Sequence, residues 1–297
     1  MLIDNYIRYN LCPLCQSGLI KKVGFINYPR PINFCDQEID LKLKAEYWKC
    51  QKCSSFFTQN VLDEKTTRSL YSDTKVNKWP ANSFAQEKGD KIIETVSSLI
   101  DKNTNILDIG CSNGALLDFL KEQGAKTFGV EYSKITRSEC LNKGHQVFGS
   151  FSEIPGDLKF NLVFAFDLFE HLYDPPSFLD TCSDLLATGG QLAVLTGNPN
   201  CLSARISKNR WWYLIYPEHI IFPSKKYFSN LKRYKMEKYI KVFNSVGWHE
   251  ASFIYLLNKF NILKFLLSIT RLFRRLRSYN GIPLLDKDHA LVVLMKK

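Results

Sequence analysis

The sequence predicts an α/β fold: a mostly parallel sheet covered by helices, an antiparallel last strand, and a small cysteine-bearing unit in front. Three observations carry this. From Lys91 onward, short apolar runs alternate with amphipathic stretches punctuated by glycine, as expected of strands buried on both faces and separated by helices. Before that point, two C-x2-C pairs bracket a segment with strand-like pieces. The bulk composition agrees, because 297 residues that are 45% hydrophobic and 23% charged exclude disorder as the main state. No run of about 20 residues is both uncharged and apolar enough to span a bilayer.

The elements follow in order. Residues 1–60 are read as the cysteine unit, with strand signals in SGLIKKVGFINY and EYWKC. Residues 61–88 are polar and weakly patterned, a linker with one or two helical turns around TRSLYSD. Residues 89–297 form the α/β domain. There KIIETVSSLI has helical spacing, NTNILDIG is a buried strand, and ALLDFLKEQG is a helix stopped by Gly124. AKTFGVE is strand two, KITRSECLNKG a helix stopped by Gly144, and HQVFG strand three. FNLVFAFD is strand four, PPSFLDTCSDLLATGG a helix running to its glycines, and QLAVLTGN strand five. Near the end, EASFIYLL and HALVVLMKK read as strands flanking the helix KFNILKFLLSITRLFRRLRS, so the final strand is expected antiparallel at the far end of the sheet.

The turn after the first strand reads Asp108-Ile-Gly110-Cys-Ser112-Asn-Gly114. Glycines there let a ligand approach the backbone, and the helix N-terminus that follows favours a carboxylate. Twenty-one residues after Gly110, strand two ends at Glu131, where a carboxylate can accept hydrogen bonds from two ribose hydroxyls. The dinucleotide fingerprint G-x-G-x-x-G is not matched. The D-x-G-x-S-x-G string resembles motif I of the class I S-adenosylmethionine (SAM) dependent methyltransferases, as do the acidic end of strand two and the FDLFEH end of strand four. The resemblance implies a Rossmann-like class I methyltransferase sheet with SAM over Gly110–Gly114 and its ribose on Glu131. Cys111, Tyr132 and Asp167 are counted with that binding set. Many relatives carry an acidic residue after strand three; here Ser150 and Phe151 stand there, so the adenine is expected on backbone groups and stacked on Phe151.

Methyl transfer to an alcohol needs a base or a metal for the acceptor proton. Strand four ends with Asp167, Glu170 and His171 in a D-x-x-E-H string. It resembles the E-x-x-E-H of ubiquinone-biosynthesis O-methyltransferases, which implies a divalent metal at Asp167, Glu170 and His171; a capping Glu170 and a packing His171 is the plainer reading. After strand five, Trp211, Trp212, Tyr213 and Tyr216 precede Pro217-Glu218-His219. This block resembles the WW…PEH…FS segment of methyltransferases found on sugars and small molecules. At Tyr216 and His219 it resembles the Y-x-E-H of deoxysugar C-methyltransferases, which implies a sugar flanked by Tyr216 and His219 with His219 as base; in broader relatives of the strand-four string the histidine is a catalytic candidate, which makes His171 the other expected base. The alternative is that the tryptophans fill a core and Glu218-His219 is a structural turn.

Cys12-x2-Cys15, then 34 residues, then Cys50-x2-Cys53, is a zinc-ribbon spacing. A unit this small has little core, so zinc is expected to supply its folding energy, about 10–16 kcal/mol in comparable sites. Four thiolates leave no open position, so the expected ion is structural. The string CPLC…YWKCQKCSSFF…LY also resembles the amino-terminal ribbon of the sugar methyltransferases. The opening MLIDNYIRYNLCPLC has no basic, apolar or cleavage-site features of a signal peptide. With nine cysteines, a reducing cytoplasmic setting is expected.

The net charge of +11 sits in one stretch: Ser224–Ser278 holds 13 Lys/Arg against Glu237 and Glu250. Such a region suits an anionic partner or is simply a solvated surface. Residues 259–278 place Ile262, Phe265, Leu266, Ile269, Leu272, Phe273 and Leu276 on one helical face and Lys264, Arg271 and Arg275 on the other. That helix either packs on the core or lies on the inner membrane face. Nucleic acid is disfavoured as partner: DPP at Asp174–Pro176 comes too late for a base N-methyltransferase motif, and no cytosine-type Pro-Cys nucleophile is present. The expected function is SAM-dependent methylation of a hydroxyl on a sugar or related metabolite, nucleotide- or lipid-linked, as in polysaccharide biosynthesis. The rivals are a C-methyltransferase of a keto-deoxysugar and a non-catalytic SAM-fold binding module.

Overall fold

The computed structural model describes residues 2–28, 30–34, 37–72, 83–84, 88–102, 104–243 and 287–297. The expected strand EASFIYLL and the basic helix 259–278 lie outside these residues, as does part of the expected linker.

Among the described residues, the main sheet has seven strands. In chain order they are β1 (Asn105–Ile109), β2 (Lys126–Val130), β3 (Gln146–Phe148), β4 (Phe160–Phe166), β5 (Leu186–Gly197), β6 (Tyr234–Val242) and β7 (His289–Lys296). Their spatial order is β3-β2-β1-β4-β5-β7-β6. Strands β1 to β5 pair in parallel, and β7 is antiparallel to both β5 and β6. The last strand is therefore antiparallel, as expected, and sits one place in from the edge. Among the described residues the edge itself is β6, which the sequence does not advertise. Its string YKMEKYIKV is lysine-rich because an edge strand has a solvated side that charge protects from further pairing.

The middle strands are buried on both faces, which is why they read as continuous apolar runs. Val163 and Ala165 of β4 join one core cluster with Leu192 and Val194 of β5. Leu162 and Phe164 join another with Ala193 and Leu195. Each buried Val, Leu or Phe among them contributes about 1.5–3 kcal/mol. Helices α1 (Glu64–Ser72), α2 (Asp90–Ser97), α3 (Ala115–Glu122), α4 (Lys134–Asn142) and α5 (Pro175–Leu185) connect the strands or precede the sheet. In α3, Leu116, Leu117 and Leu120 are buried; the Ser133 and Asp174 side chains cap α4 and α5. Helix α5 stops at Leu185, short of the expected glycines. Leu186 already pairs with Phe160, and a register shift before Gln191 absorbs residues 187–190. Gly189 has φ +72° there, a conformation that glycine adopts without strain.

The amino-terminal unit builds a small antiparallel sheet from Ile20–Phe25, Glu46–Cys50 and Phe56–Gln59. A fourth strand, Ile221–Phe222, arrives from beyond β5 and pairs with Phe56 and Phe57. Phe57 and Val61 share a core cluster with Phe169, Ile220, Ile221 and Phe228. Among the described residues, no helix is long and apolar enough to cross a membrane.

Candidate functional site

The strand order reverses between β1 and β4, so a crevice opens at the carboxyl ends of these strands. The loop after β1 lines it. Gly110 and Gly114 hold φ +76° and +82°, and Ser112 holds +46°. At Gly114 an added Cβ would meet the Cys140 sulfur at 3.1 Å and the His145 ring at 3.3 Å. The Ser112 and Ser133 N–H groups donate to the Glu131 carboxylate at 2.9 and 2.7 Å. Glu131 thus fixes the loop while its outer lone pairs stay available. Burial raises the Glu131 carboxyl above its usual range, opposed by those two N–H donors. Asp108 is buried beneath the loop. Burial, and then the Glu131 charge, push its carboxyl up to about 8, with Lys88 opposing. Asp108 is therefore largely protonated at neutral pH.

The other expected cofactor residues divide. Phe151 follows β3 and meets Phe178 edge-on at 6.3 Å. Tyr132 is exposed, with the Arg68 guanidinium 5.4 Å from its ring. The Cys111 side chain turns away from the crevice into a cluster with Leu117 and Cys140; its thiol stands above its usual range through the contact with Cys140 and then burial. Only the backbone of Cys111 can serve a ligand. Asp167, at φ +49°, pairs with Lys88 at 2.5 Å.

Beside this crevice lies a second cluster. The Glu170, His171 and His219 ligand atoms all lie within 4.8 Å of one another. The expected metal set of Asp167, Glu170 and His171 is thus altered, because Lys88 holds Asp167 and His219 completes the group. Glu170 is buried; its carboxylate accepts from the Thr196 hydroxyl at 2.8 Å and from the Tyr213 hydroxyl. His171 Nδ1 lies 2.9 Å from the Glu218 carbonyl, and His219 Nδ1 lies 2.8 Å from the Tyr213 carbonyl. Carbonyl oxygens only accept, so each Nδ1 carries a hydrogen and Nε2 is the nitrogen left to exchange a proton. The two rings stand 4.9 Å apart, nearly perpendicular. Burial and then His171 hold the His219 pKa well below its usual value. Leu168, in the turn carrying Glu170, packs on Gly110: an added Cβ there would lie 3.5 Å from it. The two halves of the site are therefore in contact.

Two expectations need correction. The Tyr216 hydroxyl donates to the Asn60 carbonyl at 2.5 Å, and its ring lies tilted against Tyr28 with centroids 4.9 Å apart. It faces the cysteine unit, and the tyrosine beside the histidines is Tyr213. Trp211 is fully buried against Phe222 and Tyr213, so it fills a core; Trp212 is the half-buried member of the pair. Sequence reasoning also missed Thr196, Lys88 and Gly197, where an added Cβ would meet the Tyr213 ring at 2.1 Å. None carries a local signal, since each acquires its place only when strands pair or the chain returns.

The four cysteines converge as expected. The sulfurs of Cys12 and Cys53 are 3.8 Å apart and those of Cys15 and Cys50 are 3.6 Å apart. A tetrahedral ion with about 2.3 Å metal–sulfur bonds has sulfur–sulfur edges of about 3.8 Å. The two knuckles match: the Gln16 N–H returns to the Cys12 carbonyl and the Ser54 N–H to the Cys50 carbonyl, with positive φ at Gln16 and Ser54. The contact between Cys12 and Cys53 favours one thiolate in the pair, holding Cys53 below its usual range and, with burial, Cys12 above it. Neighbouring thiolates repel without a cation, and this donor set fits zinc.

The sheet order with an antiparallel β7, the glycine loop after β1 and the acid ending β2 define the class I methyltransferase architecture. The methyltransferase domain family matches residues 81–233, a little over half of the chain, and the chain belongs to it. A ubiquinone biosynthesis O-methyltransferase from Xylella fastidiosa strain M23 is 33% identical over 157 residues, covering 50% of this chain and 63% of that protein. Its counterpart from Leptothrix cholodnii is 28% identical over 120 residues, covering 37% and 50%. The chain thus spans between half and two thirds of the length of these curated relatives. A SAM-dependent methyltransferase structure from Archaeoglobus fulgidus is 18% identical, covering 69% of this chain and 92% of that one at TM-score 0.45. The crevice fits SAM. The left-handed loop leaves a cradle, and the buried Ser112 hydroxyl has no partner, as expected of a group kept for a ligand.

Proposed function

We propose that the chain catalyses SAM-dependent methylation of a hydroxyl on a small acceptor, a sugar or related metabolite that is nucleotide- or lipid-linked. The observation that supports this is the convergence of His171 and His219 with both Nδ1 atoms tied to carbonyls. Two imidazole Nε2 atoms are thereby held ready beside the cofactor crevice. SAM, when bound, supplies an electrophilic methyl group on its sulfonium. Gly110–Gly114 cradle it, Glu131 accepts from its ribose hydroxyls, and Phe151 lies against its base. His219 or His171 takes the acceptor's proton at Nε2, and the buried Glu170 carboxylate stabilises the imidazolium that forms. Zinc on Cys12, Cys15, Cys50 and Cys53 is structural, and the reduced thiols go with a cytoplasmic setting.

A second reading starts from the same convergence. Glu170, His171 and His219 also form a donor set for a divalent cation, which would acidify the acceptor hydroxyl directly. Incubation with methyl-labelled SAM and separate pools of metabolites, envelope lipids and RNA tests the proposal. Label in a sugar-containing metabolite or glycolipid is expected, with loss in His219→Ala and His171→Ala. Label confined to RNA refutes the acceptor class. Activity lost to a chelator and restored by a divalent ion, with the four cysteines still loaded, selects the second reading.

A further inference from the structure

The cysteine unit and the acceptor-side histidines come from segments 161 residues apart, yet one hydrogen-bond ladder joins them. Phe56 and Phe57 pair with Phe222 and Ile221, so a strand just beyond His219 completes the ribbon's sheet. The Thr58 N–H donates to the Ile220 carbonyl at 2.7 Å, and its hydroxyl donates to the His219 carbonyl at 3.3 Å. One turn further, the Ser224 hydroxyl donates to the Cys53 carbonyl at 2.6 Å, and the Ser224 N–H donates to the Ser55 hydroxyl at 3.0 Å. On the opposite side, the Ile220 N–H donates to the Glu170 carbonyl at 2.8 Å. Ser55, Thr58, Ile220 and Ser224 are all buried, so water cannot replace a lost partner. The pair His219-Ile220 is held between the cysteine knuckle and the turn that carries Glu170 and His171.

We propose that the cysteine unit positions the acceptor-side histidines: metal on its four thiols sets the Cys53–Ser55 turn, and the ladder carries that geometry to His219. Ser224 and Thr58 are positioning residues in this scheme. Its functional consequence rests on the reading of His219 as the base, whereas its structural part is measurable without an acceptor. A knuckle collapses when its metal leaves, because close thiolates repel and thiols cannot share one ion's geometry. The Cys53 carbonyl then leaves Ser224, and the Ile221–Phe222 strand loses its register.

The test compares the full-length zinc-loaded chain with the chelated chain by amide hydrogen exchange. Expected is at least ten-fold faster exchange in peptides covering 211–224, unchanged exchange in 105–131, and SAM affinity within two-fold. Unchanged exchange in 211–224 while residues 12–53 lose protection would overturn the proposal. So would loss of SAM binding on chelation, which would make the unit a global stabiliser. Thr58→Val and Ser224→Ala leave the four thiols in place. Both are expected to keep one zinc per chain by elemental analysis and to exchange faster at 219–224. Both should also incorporate at least ten-fold less methyl label at saturating SAM, with Thr58→Ser restoring it. Wild-type incorporation in both variants, with His219→Ala inactive, would overturn the ladder and keep the base. An active His219→Ala would overturn the base, and the exchange data alone would then judge the ladder.

Discussion

Gly197 ends β5 against the ring of Tyr213. A Cβ added there would lie 2.1, 2.4 and 2.9 Å from three ring carbons. Ordinary contact begins near 3.4 Å, so Gly197→Ala forces the ring back by about 1.3 Å. The ring has no room to retreat, since the His219, His289 and Trp211 rings stand 4.3, 4.9 and 5.2 Å from it. Displacing Tyr213 disturbs two contacts of the cluster at once: its hydroxyl to Glu170 and its carbonyl to His219. Overpacking of this kind costs about 1–3 kcal/mol, or a fall in Tm of about 2–12 °C at roughly 2–4 °C per kcal/mol. A shift of about 1 Å in a catalytic group costs about 100-fold in rate. The assay is methyl-label incorporation at saturating SAM, with SAM affinity by calorimetry and Tm by scanning. Gly156→Ala serves as the control, because nothing lies within 4 Å of its added Cβ. Expected are a rate about 100-fold lower, SAM affinity unchanged, and a silent control. Transfer within three-fold of wild type would refute the assignment of Tyr213, Glu170 and His219 to the acceptor site.

Three further outcomes are expected. The native Asp108 keeps a proton that the unfolded chain releases between pH 3.8 and about 8. Stability therefore falls as pH rises through that window and levels off above it; at 1.36 kcal/mol per pH unit the loss is on the order of 5 kcal/mol. Asp108→Asn should match wild type near pH 4 and exceed it at pH 8 in a Tm–pH series, and parallel curves would contradict the buried proton. Glu131→Gln should lower SAM affinity by about 10–100-fold in calorimetry, the worth of a charged hydrogen bond of about 1.5–3 kcal/mol. Tyr216→Phe should lose about 1 kcal/mol of stability in denaturant titration and keep its transfer rate, whereas Tyr213→Phe should lose transfer at least ten-fold. Equal behaviour of the two tyrosine variants would place the site elsewhere.

The parallel strands were legible because burial on both faces leaves short runs of apolar residues with no polar interruption, as at 162–166 in β4 and 192–195 in β5. The glycine loop was legible because the positive φ at Gly110 and Gly114 restricts which residues can stand there. The cysteine cluster was legible because two i, i+3 pairs are a local geometry. Strand β6 was not, since an edge strand is solvated and its lysines mask the period. Tyr213 and Tyr216 show the limit most plainly. Three residues apart in one aromatic block, they look alike in sequence, and only the return of that block onto the amino-terminal sheet sends one hydroxyl to Asn60 and the other to Glu170.

From its sequence alone, this chain's fold class, its cofactor loop, its four clustered thiols and the Glu170–His171 turn follow, because local spacing and backbone conformation encode them. The tertiary structure decided the partner of that turn. Lys88 draws Asp167 away, and the ladder from Thr58 and Ser224 brings in His219. Each of those contacts joins residues far apart in the chain, and contact between distant residues leaves no period, spacing or composition for a sequence to display.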